Sequence, residues 1–427
     1  MIGLKSVSRR RFLGTTLAGL AGGVAVPQFV PRGVLAATDH PGANDRIGVA
    51  YIGCGRRGRQ LLRIPKEGRF VAFADVYLSR AEELAKKYEA RACQDYRKLL
   101  EDEDVDAVVV ATPDHWHALP SIHACQAGKD VYCEKPLSLT VREGRRLVDA
   151  VRKYGRVLQT GSQRRSMAGH RLGCELVRNG VVGKIHTVLI QNYPSPWECA
   201  FPGQPVPEGL DWDTWCGPTE PVPFHNDIFI SRSQPGWISF RPYSGGEMTG
   251  TGAHGFDQIQ WALDLDHTGP VEVWCEGGPM PTVTYREPES GGRGNRECSR
   301  DRRVRFRYAN GIEVRSEEGE PAAGAVFIGE TGKIRIGNNT VDSNPPELAE
   351  NPPADLKQHV AVSDNHMQNW FDSIKSRERP IADVEIGHRS AVVCHLGNIA
   401  RWVGRRLRWD PERETFPDDP DANAYLE

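Results

Sequence analysis

The chain of 427 residues carries 54 Lys and Arg against 56 Asp and Glu, a formal charge of −2, with 39 % hydrophobic and 26 % charged residues. That balance leaves no electrostatic footprint for a nucleic-acid or anionic-membrane partner, and no apolar stretch beyond about residue 35 is long enough to span a bilayer. At roughly 150 residues per domain the length implies two or three domains.

The N-terminus opens on Ser8-Arg9-Arg10-Arg11-Phe12-Leu13, followed by a weakly apolar Gly/Ala-rich run to Val30 and by Val34-Leu35-Ala36-Ala37. An Arg pair, Phe-Leu and a small-residue cleavage site in this order read as a twin-arginine signal over residues 1–37, with a polar linker over 38–45. A basic helix that stays on the protein is the alternative. No Cys precedes Cys54, so lipid anchoring through a cysteine at the cleavage site is excluded. The twin-arginine machinery carries proteins already folded, which places the mature chain in the periplasm or otherwise outside the cytoplasm. Ten cysteines, none in a C-x-x-C pair, folding in a reducing compartment predict mostly free, buried thiols.

A first domain is expected over residues 46–162. Arg46 to Ile52 alternates into an apolar strand that ends in Gly53-Cys54-Gly55-Arg56-Arg57-Gly58, with a helical pattern from Arg59. In a G-x-G-x-x-G between strand and helix, the first glycine permits the turn and the second lets a pyrophosphate approach the backbone. The third allows close helix packing, while N–H groups at the helix start hold the anion. A second strand over 70–74 ends in Asp75, about 20 residues on, where a carboxylate accepts from ribose hydroxyls and repels a 2′-phosphate. NAD is therefore expected over NADP, with Arg80 placed over the adenine or offsetting that repulsion. Residues 81–88 read as helix and 105–111 as a buried parallel strand closed by Thr112-Pro113. A helix over 119–127, a strand over 130–133 and a strand over 157–159 complete the alternation of a doubly wound parallel sheet, a Rossmann-type α/β fold. Gly53, Asp75, Thr112 and Glu134-Lys135-Pro136 all fall at strand C-termini, where such sheets bind ligands.

Thr112-Pro113-Asp114-His115-Trp116-His117 followed by Glu134-Lys135-Pro136, behind that glycine loop, resembles the Gfo/Idh/MocA oxidoreductases over nearly all of residues 46 to 405. The resemblance implies a second α/β domain over 163–405 with an open, largely antiparallel sheet, the substrate lying between the domains. It also makes Lys135 the catalytic-site lysine and lines the cofactor with Glu134 and His117. The chemistry agrees, because oxidation of a secondary alcohol needs a group to take the hydroxyl proton, and an ammonium stabilises developing alkoxide charge. A surface lysine is the alternative, opposed by Pro136 at the end of a buried strand. His115 and His117 also have the spacing of a metal pair, but no third ligand is near and no metal is assigned.

Gly245 to Asp257 is the second signature of that family. His254 stands at its catalytic histidine, a proton acceptor of ordinary pKa about 6.5, with a structural histidine as the alternative. Gly250 stands where many members carry an Asp paired with that histidine, a loss that weakens the imidazole as a base. Asp257 reads as a helix-start residue before a helix over 258–263. Between Tyr193 and Trp261 lie Trp197, Trp212, Trp215, Trp237 and Trp261, with Phe201, Phe224, Phe229, Phe240 and Tyr243. Aromatic faces suit a pyranose, with Trp237 assigned to the substrate, although long loops also use aromatics as local cores. Gln163, Arg164 and Arg165 at the domain junction are expected to reach cofactor or sugar, or else to form a basic face.

Further strands are expected over 271–274, 303–308, 312–315 and 325–336, an exposed polar loop over 286–302, and helices over 365–376 and 390–405. A C-terminal tail is expected over 406–427, its acidic part after Asp410 reading as a surface strap. These readings predict an exported, NAD-dependent oxidoreductase for a sugar or sugar derivative that retains and regenerates its cofactor in place, and assembles as a homo-oligomer. An NAD-dependent glycosidase or lyase working by transient oxidation and elimination is the alternative, and a non-catalytic sugar-binding protein is the third reading.

Overall fold

The computed structural model describes residues 46–229, 236–281, 283–285 and 302–427. The expected signal and linker over 1–45 and the polar loop over 286–301 lie outside the described residues.

The first sheet has six parallel strands, β1 (Ile47–Ile52), β2 (Gly68–Ala74), β3 (Arg91–Cys93), β4 (Ala107–Val110), β5 (Asp130–Cys133) and β6 (Leu158–Thr160), in the order β3-β2-β1-β4-β5-β6. The order reverses beside β1, so the loops after β1 and β4 diverge and leave a crevice at their C-terminal ends. Every residue of β1, β4 and β5 is buried, as expected of parallel strands covered on both faces. Helix Val141–Lys153 covers one face, its start fixed by Thr140 Oγ1 accepting from Glu143 N. The other face is covered in part by helix His366–Ser376, whose Met367, Trp370 and Phe371 pack with Tyr51, Phe73 and Tyr132. A segment more than 200 residues downstream of the sheet thus completes the first domain's core.

The second domain is built on an eight-stranded sheet of β7 (Thr187–Gln191), β9 (Glu272–Cys275), β11 (Val304–Arg307), β12 (Glu313–Glu317), β13 (Ala325–Ile328), β14 (Lys333–Gly337), β15 (Thr340–Asn344) and β16 (Leu407–Arg408). Its order is β15-β14-β13-β7-β12-β11-β9-β16, and every neighbouring pair is antiparallel except β7 with β12. The single apolar run expected over 325–336 is the hairpin β13–β14, divided by Gly329 to Gly332. Alternation of buried and half-buried residues along β9, β11 and β12 leaves one face for helices Gly252–Ala262 and Val384–Val403. Two short strands, β8 (Glu198–Cys199) and β10 (Thr284–Tyr285), pair in parallel beside the aromatic segment.

The C-terminal part of the chain differs from expectation in two ways. Helix Val384–Val403 begins six residues early because Asp383 caps it, accepting from Glu385 N. The tail is no surface strap. β16 pairs with β9, and Trp409, Phe416, Ala422 and Leu426 are buried in the second domain's core. Glu414 is buried there too, accepting from Arg145 and His388. The nine cysteines of the described residues are unbridged, and seven of them are buried. Among the described residues, no helix is long and apolar enough to cross a membrane.

Candidate active site

A cleft of about 320 Å³ opens at the C-terminal ends of β1, β2, β4 and β5 and is lined by both domains. The glycine loop forms its floor. Gly53 has φ +93, and a Cβ there would lie 2.8 Å from the Ala111 carbonyl, so both its conformation and the neighbouring strand require glycine. Gly55 borders the cleft with no heavy atom within 4 Å of where its Cβ would stand, an open cradle. Gly58 does not line the cleft. A Cβ there would sit 2.2 Å from Gly53 O, which is the close helix packing expected of it. The helix starts at Arg56 rather than Arg59, immediately after the cradle.

Asp75 is 8 % exposed. Its Oδ2 accepts from Cys54 N at 2.7 Å and its Oδ1 from Tyr77 N at 2.8 Å, so the carboxylate is fixed against the glycine loop. Burial raises its pKa, opposed by those two N–H groups and by Arg80. Arg80 lines the same end, its guanidinium 5.4 Å from the Tyr77 ring centroid and 4.8 Å from that of Phe229. On the opposite wall Thr112 Oγ1 is buried and finds no hydrogen-bond partner among the described residues. An open glycine cradle, an oriented carboxylate with lone pairs to spare and an orphaned hydroxyl fit a dinucleotide.

Glu134 ties the wall together. Its Oε1 accepts from Arg57 Nε and from Gln163 Nε2, each at 2.8 Å, and Gln163 also donates to Tyr132 Oη at 2.5 Å. Arg56, Arg57, Pro113, His117, Glu134 and Gln163 all reach the cleft. His117 bridges two strand ends, with Nδ1 2.9 Å from Pro136 O and Nε2 3.0 Å from Thr112 O. His115 turns away, its Nε2 2.8 Å from Trp215 O, and burial pushes its pKa down to about 4. Among the described residues, no group of three or more His, Cys, Asp and Glu is arranged to hold a metal.

Lys135 is half-buried at the mouth of β5 and lines the cleft, as His254 does from the second domain. Lys135 Nζ donates to Gly250 O at 2.8 Å. The position that lacks the expected Asp therefore contributes a backbone carbonyl that orients the ammonium. His254 lies in the first turn of helix Gly252–Ala262, which starts six residues before the expected boundary because its glycines are helical. Glu247 Oε2 accepts from Thr251 N and Thr251 Oγ1, holding the turn before that helix.

Four expectations are corrected. Arg165 is not at the cleft. It is 2 % exposed, its Nε donating to both oxygens of Asp257 at 3.0 Å and its terminal nitrogens to Asp266 at 2.9 and 2.6 Å. Burial works to lower the Arg165 pKa, but the two carboxylates outweigh it and leave it raised. Asp257 is accordingly a mid-helix ion-pair partner, which also accepts from Ser390 Oγ at 2.9 Å. Arg164 also leaves the cleft, donating to His170 Nε2 at 3.1 Å. The aromatic segment is chiefly a core of its own. Trp212 and Trp215 stack with centroids 4.5 Å apart, buried with Trp197, Phe224, Phe240 and Tyr243. Only Trp215, Trp237 and Phe229 of that segment's aromatics border the cleft. Trp261 lies instead in the sheet's core beside Arg165.

The cleft also takes in Gln94, Tyr96, Trp116 and Thr214, which motif spacing did not identify. Trp116 stood inside the Thr112–His117 motif, and its indole was the available signal. Nothing local marks Thr214, which arrives from almost 100 residues away.

Comparison with known proteins gives two family matches. Residues 47–162 match the NAD-binding Rossmann fold of the Gfo/Idh/MocA oxidoreductase family, and residues 175–427 match its C-terminal alpha/beta domain. The myo-inositol 2-dehydrogenase of Thermotoga maritima is 35 % identical over 156 residues, covering 35 % of this chain and 46 % of that protein. A 2,7-anhydro-N-acetylneuraminate hydratase of Mediterraneibacter gnavus is 33 % identical over 142 residues, covering 33 % of this chain and 37 % of its own length. The chain thus spans less than half of either relative. The crystal structure of the WlbA dehydrogenase from Bordetella pertussis with NADH and UDP-GlcNAcA is similar in fold, with a TM-score of 0.58 at 19 % identity over 86 % of this chain and 99 % of that one.

Proposed function

The chain belongs to the Gfo/Idh/MocA oxidoreductase family, and on that premise we propose that it is exported and oxidises a sugar or sugar derivative with an NAD that it retains, the NADH being re-oxidised in the site as a second, carbonyl substrate is reduced to its alcohol. The observation that carries the reading is the convergence of Lys135 and His254 on the cleft that holds the glycine loop and Asp75. When bound, NAD supplies a two-electron acceptor for the hydrogen on a carbinol carbon. Gly53, Gly55 and the start of the following helix would hold its pyrophosphate, Asp75 its ribose, and Thr112 and Glu134 would border its far end. Lys135, oriented by Gly250 O, stabilises negative charge on the substrate oxygen, and His254 takes the hydroxyl proton. Export is supported by the twin-arginine pattern in residues 1–37 and makes retention necessary, because no pool of free NAD awaits an exported enzyme.

A second reading is favoured by Gly250, which offers His254 no carboxylate, and by the similarity to a hydratase. Here a ring hydroxyl is oxidised transiently, the new carbonyl acidifies the adjacent C–H, and loss of that proton expels the glycosidic oxygen. Water then adds and the two electrons return, with no net redox change.

The test is to release and identify bound nucleotide from denatured protein, then supply free sugars together with an aldehyde or ketone acceptor and, separately, p-nitrophenyl glycosides. Sugar oxidation supports the first reading, and aglycone release without net NADH supports the second. Lys135→Ala should abolish either activity while nucleotide stays bound. Turnover retained in that variant refutes the assignment.

A further inference from the structure

We propose that residues 209–216 and Phe229 of the second domain form a latch across the Asp75 end of the cleft, which must open before the dinucleotide leaves. The proposal rests on NAD being the group held there, and it supplies a physical basis for retention.

The latch engages the backbone next to the ribose carboxylate. Tyr77 and Leu210 form an antiparallel bridge, and Asp211 N donates to Val76 O at 2.9 Å. Gln94 Nε2 joins the two sides, donating to Val76 O at 2.8 Å and to Gly209 O at 3.1 Å. Trp116 Nε1 lies 3.0 Å from both Thr214 O and Trp215 O, a bifurcated bond from the loop after β4. Val76 and Tyr77 also pack against the aromatic core of the segment. The loop that carries Asp75 is therefore part of two folding units at once.

The consequence is geometric. Thr214, Trp215 and Phe229 stand on the same cleft as Asp75 and Arg80, so the adenosine end is walled by both domains. Phe229 also faces the Arg80 guanidinium. Opening this end breaks these neutral hydrogen bonds and parts Val76 and Tyr77 from the aromatic core, and leaves both sheets intact. Such a contact slows a ligand's exit without entering the chemistry.

The experiment measures NADH dissociation from the full chain by stopped-flow fluorescence, with excess NAD as competitor. The variants are Gln94→Ala, Trp116→Phe and the pair together, with circular dichroism to show that each is folded. Loss of the two Gln94 bonds should speed dissociation about tenfold, Trp116→Phe by less, and the double variant by more than either, with association changed little. Dissociation unchanged in the folded double variant overturns the latch. If NADH leaves the wild-type protein faster than it turns over, retention falls, while the ratio of dissociation rates still decides the latch. Failure of the wild-type protein to bind NADH overturns both.

Discussion

Arg165→Met removes a cation that two carboxylates share, and the structure sets how much that costs. Asp257 and Asp266 each lose two donated hydrogen bonds. Their fates differ, because the Asp266 side chain is 14 % exposed and can rehydrate, whereas that of Asp257 is 3 % exposed and cannot. The cost is therefore that of one uncompensated buried charge, about 3–5 kcal/mol, and not twice that. Burial already raises the Asp257 pKa above its ordinary 3.8, with Arg165 the main opposing influence. A carboxyl raised in the folded state contributes stability below its ordinary pKa and loses it as pH rises through the folded value. Removing Arg165 raises it further, so the variant should lose more at pH 7.5 than at pH 5. Urea unfolding of the full chain at both pH values, followed by tryptophan fluorescence and circular dichroism, measures the difference. Adding Asp257→Leu should restore part of the loss, since it deletes the stranded charge. A loss below about 1 kcal/mol at pH 7.5, or one equal at both pH values, refutes the reasoning.

Gly58→Ala places a methyl 2.2 Å from Gly53 O, where only backbone movement relieves it. We expect about 1–3 kcal/mol of destabilisation and at least about tenfold weaker NAD binding, read by thermal melting and titration calorimetry. Asp75→Ala strips the acceptors from Cys54 N and Tyr77 N. It should weaken NADH by at least about tenfold and NADPH by less, so comparing the two in fluorescence titrations isolates the carboxylate's contribution. Burial works to raise the Glu385 pKa, but Arg145 and Arg389 hold it down at about 2 against an ordinary 4.5. Glu414 is lowered as well, by Arg145 and His388 acting against its burial. Depressed carboxylates contribute stability that is present above their ordinary pKa and lost as pH falls through the folded one. Protection of residues 405–427 against hydrogen exchange should therefore fall between pH 4.5 and pH 2, and protection unchanged over that range would contradict the pairing.

The cofactor half of the cleft was legible because its contacts close over short stretches of chain. Asp75 reaches Cys54 across 21 residues within a single βαβ unit, and the glycines, strand and acid follow from local geometry that the sequence repeats as a pattern. Arg165 was misassigned for the opposite reason. Its partners Asp257 and Asp266 lie 92 and 101 residues away, and nothing in Gln163-Arg164-Arg165 distinguishes a side chain aimed at a ligand from one aimed at a buried carboxylate. The tail was misread because charge dominates its composition, while the buried Trp409, Phe416 and Leu426 that seat it are widely spaced. The aromatic segment shows where local reading stops altogether. Each tryptophan taken singly suits a private core and the segment taken together suits a sugar, and the fold divides them, burying Trp197 and Trp212 while Trp215 and Trp237 face the cleft. The aromatic side chains of the second domain that border the cleft therefore come from the segment whose placement depends most on distant contacts. The glycine loop, Asp75 and Lys135 are fixed by local geometry and the cleft-facing aromatics are not, which is why the cofactor is readable from this chain and the substrate is not.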